Sequence, residues 1–129
     1  MMMADITNKA AIILVVEDEP LLRLAAVDLV EAAGYQAVAA ADATEAVAIL
    51  EERDDIRIVF TDVDMPRGLD GMRLAAIIRD RWPPIKVIVV SGHIQDPGDR
   101  IPAETVFFAK PYREEQIVET IRQLLQQKA

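Results

Sequence analysis

The sequence predicts an α/β fold, a doubly wound five-stranded parallel sheet, and three observations predict it. Short runs of Ile, Val and Leu alternate with longer stretches of helical periodicity along most of the chain. Several of those runs are apolar on both faces, as strands covered by helices on either side must be. They stop abruptly at polar or charged residues, and the carboxyl ends of such strands are where this architecture places its ligands.

The elements follow in order. Ala11 to Val16, reading AIILVV, is the first strand. Pro20 suits the first turn of a helix running to about Ala33, with Gly34 as its left-handed stop. A helical wheel turns Leu22, Ala25, Ala26, Leu29 and Ala33 to the core and leaves Leu24 and Val27 among Arg23, Asp28 and Glu31, two apolar side chains on a polar face that are either part of a docking patch for a kinase helix or ordinary exposed apolar residues. Tyr35 to Ala40 is a second, weaker strand, and Asp42 or Thr44 caps a helix to about Arg53. Ile56 to Thr61 is the third strand. Asp70 caps a helix reaching Trp82, where Pro83-Pro84 ends it. Ile85 to Val90 and Thr105 to Ala109 are the last two strands. The final helix, about Tyr112 to Gln127, sets Ile117, Ile121, Leu124 and Leu125 on one face. Between the fourth and fifth strands, HIQDPGDRIPAET carries Pro97, Gly98 and Pro102, so the fourth helix is expected to be short or irregular.

Composition narrows the function. The 129 residues suit one domain, residues 10–129, behind a loose tail over 1–9, and a chain this long buries roughly two-thirds of its unfolded surface. With no cysteine and His93 as the single histidine, disulfides, thiolate zinc sites and multi-histidine metal cages are excluded. The formal charge of −8, without any cluster of Lys and Arg, argues against direct nucleic-acid binding. The longest apolar run is too short to span a bilayer and ends in Glu17-Asp18-Glu19, so a cytoplasmic location without membrane insertion is expected. With the final helix at the end of the sequence, a stand-alone domain without an output domain is expected.

The strand ends gather a distinctive set: Glu17 and Asp18 after the first strand, Asp62 and Asp64 after the third, Ser91 after the fourth, Lys110 after the fifth. Carboxylates crowded in this way drive one another toward the neutral form unless positive charge is supplied. Lys110 supplies one charge, and Mg2+ suits the rest, since it takes one or two carboxylates, keeps several waters and completes its shell with phosphate oxygens. A carboxylate flanked by metal and amine can attack phosphorus, which makes Asp62 a candidate nucleophile.

VVEDEP, FTDVDMP, VVSGH and FFAKPY, in that order and each at a strand end, resemble the receiver domain of two-component response regulators, over about Ile12 to Leu125. The resemblance implies a flavodoxin-like strand order of 2-1-3-4-5 with five helices. It implies that Asp62 accepts a phosphoryl group from a histidine kinase or phosphotransfer protein, as a switch and not an enzyme. Asp18 would bind Mg2+ directly, Glu17 through water, and the backbone carbonyl of Asp64 would be a further ligand. Ser91 would sense the phosphoryl group, Lys110 would pair with it, and Lys110-Pro111 is a candidate cis bond. The aromatic that reorients with phosphorylation is Phe107 here, without a hydroxyl. The read-out is expected to be phosphorylation-dependent binding of a downstream protein.

Rival readings are weaker. A haloacid-dehalogenase-like Mg-dependent phosphatase could use Asp62 and Asp64, but such enzymes carry the nucleophile on their first strand and the acid pair last. A nucleotide-binding module needs a glycine-rich loop where this chain has EDEP. A fold used only as an interaction surface tends to lack the acceptor or the lysine. The Asp64 side chain either faces water or orients one, His93 is most simply a loop residue, and Trp82 is packing.

Overall fold

The computed structural model describes residues 11–65, 70–98 and 101–127, so the expected tail over 1–9 lies outside the described residues. Five strands, β1 (Ile12–Val16), β2 (Gln36–Ala40), β3 (Ile56–Asp62), β4 (Lys86–Ser91) and β5 (Thr105–Ala109), alternate with α1 (Pro20–Ala32), α2 (Ala43–Glu52), α3 (Gly71–Arg81) and α4 (Glu114–Gln126). All neighbouring strands are parallel, in the order β2-β1-β3-β4-β5. The parallel sheet is as the alternation predicts, and its order is the flavodoxin-like one that the resemblance implies.

Each central strand divides its side chains between two cores, as a period of two requires. Leu14, Val16, Val59, Val87 and Val89 meet Ala46 and Leu50 of α2 and Leu74 and Ile78 of α3 on one face. Ile13, Val15, Ile58, Phe60 and Ile88 meet Leu29 and Val30 of α1 and Ile117 and Ile121 of α4 on the other. Burying both faces is why β1, β3 and β4 read as continuous aliphatic runs.

The helix ends follow local chemistry. Asp42 accepts a hydrogen bond from the Glu45 amide at 2.8 Å, and Asp70 one from the Arg73 amide at 2.8 Å; each satisfies an otherwise orphaned donor. Gly34 takes φ 98° just past α1, a region that costs glycine little.

Two expectations need correction. In α1 the wheel assigns Leu22 and Ala25 to the core, but both are exposed, while Val30, omitted from it, is fully buried. The first two turns of α1 stand beside the strand ends, where a helical period alone cannot show that no neighbour covers them. The resemblance also implies five helices, whereas four α-helices stand among the described residues. The described part of the segment between β4 and β5 forms none, since Pro97 and Pro102 lack a donor and Gly98 sits at φ 57°. Ile94, Ile101 and Phe107 pack against the α2/α3 side of the core in its place. Glu104, at φ 61°, closes the segment by pairing with Arg79 at 3.0 Å and Lys86 at 3.4 Å. No helix among the described residues is long and apolar enough to cross a membrane.

Candidate functional site

Register brings the polar strand ends together. Val16 pairs with Thr61, Asp62 with Val90, and Ser91 with Ala109, so Glu17, Asp62, Ser91 and Lys110 fall along one edge. Ladder-like bonds continue past the strands: the Val63 amide donates to Val90 at 2.9 Å and the Lys110 amide to Ser91 at 2.8 Å.

Asp62 is the centre of the cluster and only 5% exposed. Its Oδ2 accepts from Lys110 Nζ at 2.9 Å, and its Oδ1 from the Asp64 amide at 2.9 Å. The Glu17 carboxyl, also buried, lies within hydrogen-bond reach of Asp62, and its Oε2 accepts from the Glu19 amide at 3.0 Å. Burial first, and then the hydrogen bond and charge of Asp62, push the Glu17 carboxyl up to about 7, against the pull of the Glu19 amide and Lys110. Burial also disfavours the charge on Lys110, but the Asp62 and Glu17 carboxylates outweigh it and raise the ammonium above its usual value. Two acids thus share one ammonium, and the shortage of positive charge favours the protonated form of Glu17.

The other acids are placed differently. Asp18 is half-buried at the start of the loop after β1. Asp64 turns its carboxylate away from Asp62 and toward the turn after β4. It accepts from Ser91 Oγ at 3.0 Å and the Gly92 amide at 2.8 Å, with His93 Nδ1 at 3.2 Å. Burial raises the Asp64 carboxyl, but the Gly92 amide, His93 and Ser91 together hold it below the usual range. Its side chain therefore faces a turn of the chain instead of open water. Ser91 is fully buried, and Phe107 and Phe108 are half-buried on opposite faces of β5. Lys110-Pro111 is cis. Among the described residues no three or more His, Asp or Glu side chains form a ready-made metal cage.

Three contributors escape sequence reasoning. A Cβ on Gly71 would lie 2.4 Å from the Asp62 carbonyl oxygen and 2.9 Å from Val63 Cα, so only glycine lets α3 start against the end of β3. The one sequence signal is a glycine directly after the Asp70 cap. Arg23 donates from Nη1 to the Glu17 carbonyl at 2.9 Å, tying α1 to the acidic loop. Tyr112 lines, with Leu22, Ala25, Glu17, Asp62 and Lys110, a cavity of about 460 Å³ between α1 and the β5–α4 loop.

Residues 13–122 match the model of the response regulator receiver domain. The chain belongs to that family. This receiver is 36% identical over 121 residues to the sensor kinase CckA of Brucella abortus (strain 2308), an alignment covering 91% of the chain and 13% of that protein. It is 37% identical over 84 residues to the response regulator protein FleR of Pseudomonas aeruginosa, covering 65% of the chain and 17% of FleR. The receiver thus spans less than a fifth of these curated relatives. Among solved structures, a response regulator receiver protein from Sinorhizobium medicae WSM419 superposes with a TM-score of 0.83 at 26% identity, covering 90% of this chain and 94% of that one. The receiver domain of the hybrid histidine kinase CckA gives 0.76 at 34% identity, covering 90% and 100%.

Proposed function

We propose that this receiver takes a phosphoryl group onto Asp62 from a phosphohistidine of a sensor kinase or phosphotransfer protein, in a Mg-dependent step, and signals by altered protein binding. The observation that carries this is the buried Asp62 carboxylate held 2.9 Å from Lys110 Nζ beside the Glu17 carboxyl. An Asp62 oxygen forms the new O–P bond as the P–N bond breaks, and the electron pair returns to the donor imidazole, which takes up a proton. Lys110 offsets charge on one equatorial oxygen, and Ser91, released from its present partner, serves another.

The donor set fits Mg2+: two adjacent buried carboxylates lack one positive charge, and Mg2+ needs only one or two such ligands plus waters. Glu17, Asp18, Asp62 and the Asp64 carbonyl would hold it. When bound, the ion supplies Lewis-acid stabilisation of the transferring group. Ser91 and Phe107 form the switch, whose movement presents a changed surface to a downstream protein. Leu21, Leu22 and Leu24 stand 75%, 50% and 57% exposed on α1, with Leu22 lining the cavity, an apolar surface suited to the helix of a cytoplasmic donor kinase.

The test is incubation with Mg2+ and acetyl phosphate followed by intact-mass measurement. The native receiver gains one phosphoryl mass and Asp62→Asn gains none. A gain retained in Asp62→Asn would assign the acceptor elsewhere, and sustained turnover of a phosphomonoester would replace the switch with a phosphatase.

A further inference from the structure

We propose that the Asp64 carboxylate is a latch that holds the Ser91 hydroxyl away from the phosphoryl site, competing with the incoming group for it; this rests on the reading of Asp62 as the acceptor. A serine hydroxyl has one hydrogen to donate and two lone pairs to offer. Here all are in use. The Ser91 oxygen lies 3.0 Å from both Asp64 oxygens, which take its hydrogen. Its lone pairs face the His93 amide at 3.1 Å and the Ile94 amide at 2.9 Å. Asp64 binds the same turn a second time through the Gly92 amide at 2.8 Å.

Ser91 can donate to a phosphoryl oxygen on Asp62 only by withdrawing its hydrogen from Asp64. Two anions therefore contend for one donor. The effect can travel toward Phe107, because Ile94, whose amide donates to Ser91, packs against the same core cluster as that ring. Asp64 acts through Ser91 and is a positioning residue, while its backbone carbonyl is untouched by changing its side chain.

The experiment uses beryllofluoride with Mg2+, a mimic of an aspartyl phosphate, titrated into the native chain, Asp64→Ala, Ser91→Ala and the double variant, with dissociation constants read from amide resonances. Loss of a charge-assisted hydrogen bond predicts that Asp64→Ala tightens binding about tenfold when Ser91 is present. In the Ser91→Ala background the same change has little effect, which is the coupling a double-mutant cycle isolates. Asp64→Asn, which keeps the shape and one acceptor oxygen but loses the charge, falls between, and guards against a folding defect in the alanine variant. In the unliganded Asp64→Ala chain the Gly92–Ile94 amides already move toward their positions in the native mimic-bound form. Equal tightening in both backgrounds, or none in either, overturns the latch while leaving Asp62 as acceptor. Failure of the native chain to bind the mimic overturns the reading of Asp62 and the latch with it.

Discussion

In the metal-free receiver, stability should fall as pH rises from 5 to 8, and Glu17 should be the cause. Its carboxyl is raised from 4.5 to about 7 by burial and by Asp62. Between those values the native state holds a proton that the unfolded chain has released, so each step up in pH favours unfolding. The contribution is fully present below 4.5 and lost as pH climbs through about 7. Over that range the loss has an upper bound of roughly 3 kcal/mol, and solvent reaching Glu17 through the adjoining cavity brings it to about 2 kcal/mol. Urea unfolding in EDTA at pH 5 and pH 8, followed by the fluorescence of the single tryptophan, Trp82, measures it. Glu17→Gln removes most of the difference between the two pH values, and Mg2+ narrows it in the native chain because the ion takes the place of the proton. A difference unchanged in Glu17→Gln would refute the reasoning, as would a native chain that gains stability over the same interval.

Other outcomes follow from the same geometry. Lys110→Met removes a charge that lowers the Glu17 carboxyl, so Glu17 should titrate higher still by carboxyl NMR, and phosphoryl uptake from acetyl phosphate should slow. Gly71→Ala should destabilise the fold by about 1–3 kcal/mol in urea despite alanine's better helix propensity, because the new methyl meets the backbone of Asp62 and Val63 and not a side chain that could swing aside. Leu24→Asp, at an exposed position of α1, should slow transfer from a donor kinase severalfold while leaving uptake from acetyl phosphate unchanged. Asp42→Ala should cost about 1 kcal/mol in the same unfolding assay through loss of the α2 cap.

The sheet was readable from sequence because β1, β3 and β4 are buried on both faces, which leaves an aliphatic signature that an exposed helix or loop lacks. The convergence of Asp62, Glu17 and Lys110 follows from parallel strands ending at one edge, a matter of topology that alternation already fixes. Side-chain direction is another matter. Nothing in FTDVDMP tells whether Asp64 turns to water, to a metal or to the Ser91 turn, since that depends on a segment more than twenty residues away. Likewise the period of α1 marks Leu22 as inward, but only the end of the neighbouring sheet decides whether there is a core for it to enter. Gly71 left only its position after the Asp70 cap as a signal, for a related reason: a close approach between backbones involves no side chain at all.

That close approach has a consequence for how the molecule can move. With no space for even a methyl group between the start of α3 and the end of β3, those two elements cannot slide past one another without a backbone clash, which braces that flank of Asp62. On the opposite side, the described part of the turn after β4 is held by polar contacts from Asp64 and Ser91 and by the packing of Ile94. A displacement provoked at Asp62 would meet less resistance on that side, where hydrogen bonds can exchange partners, than where backbone meets backbone.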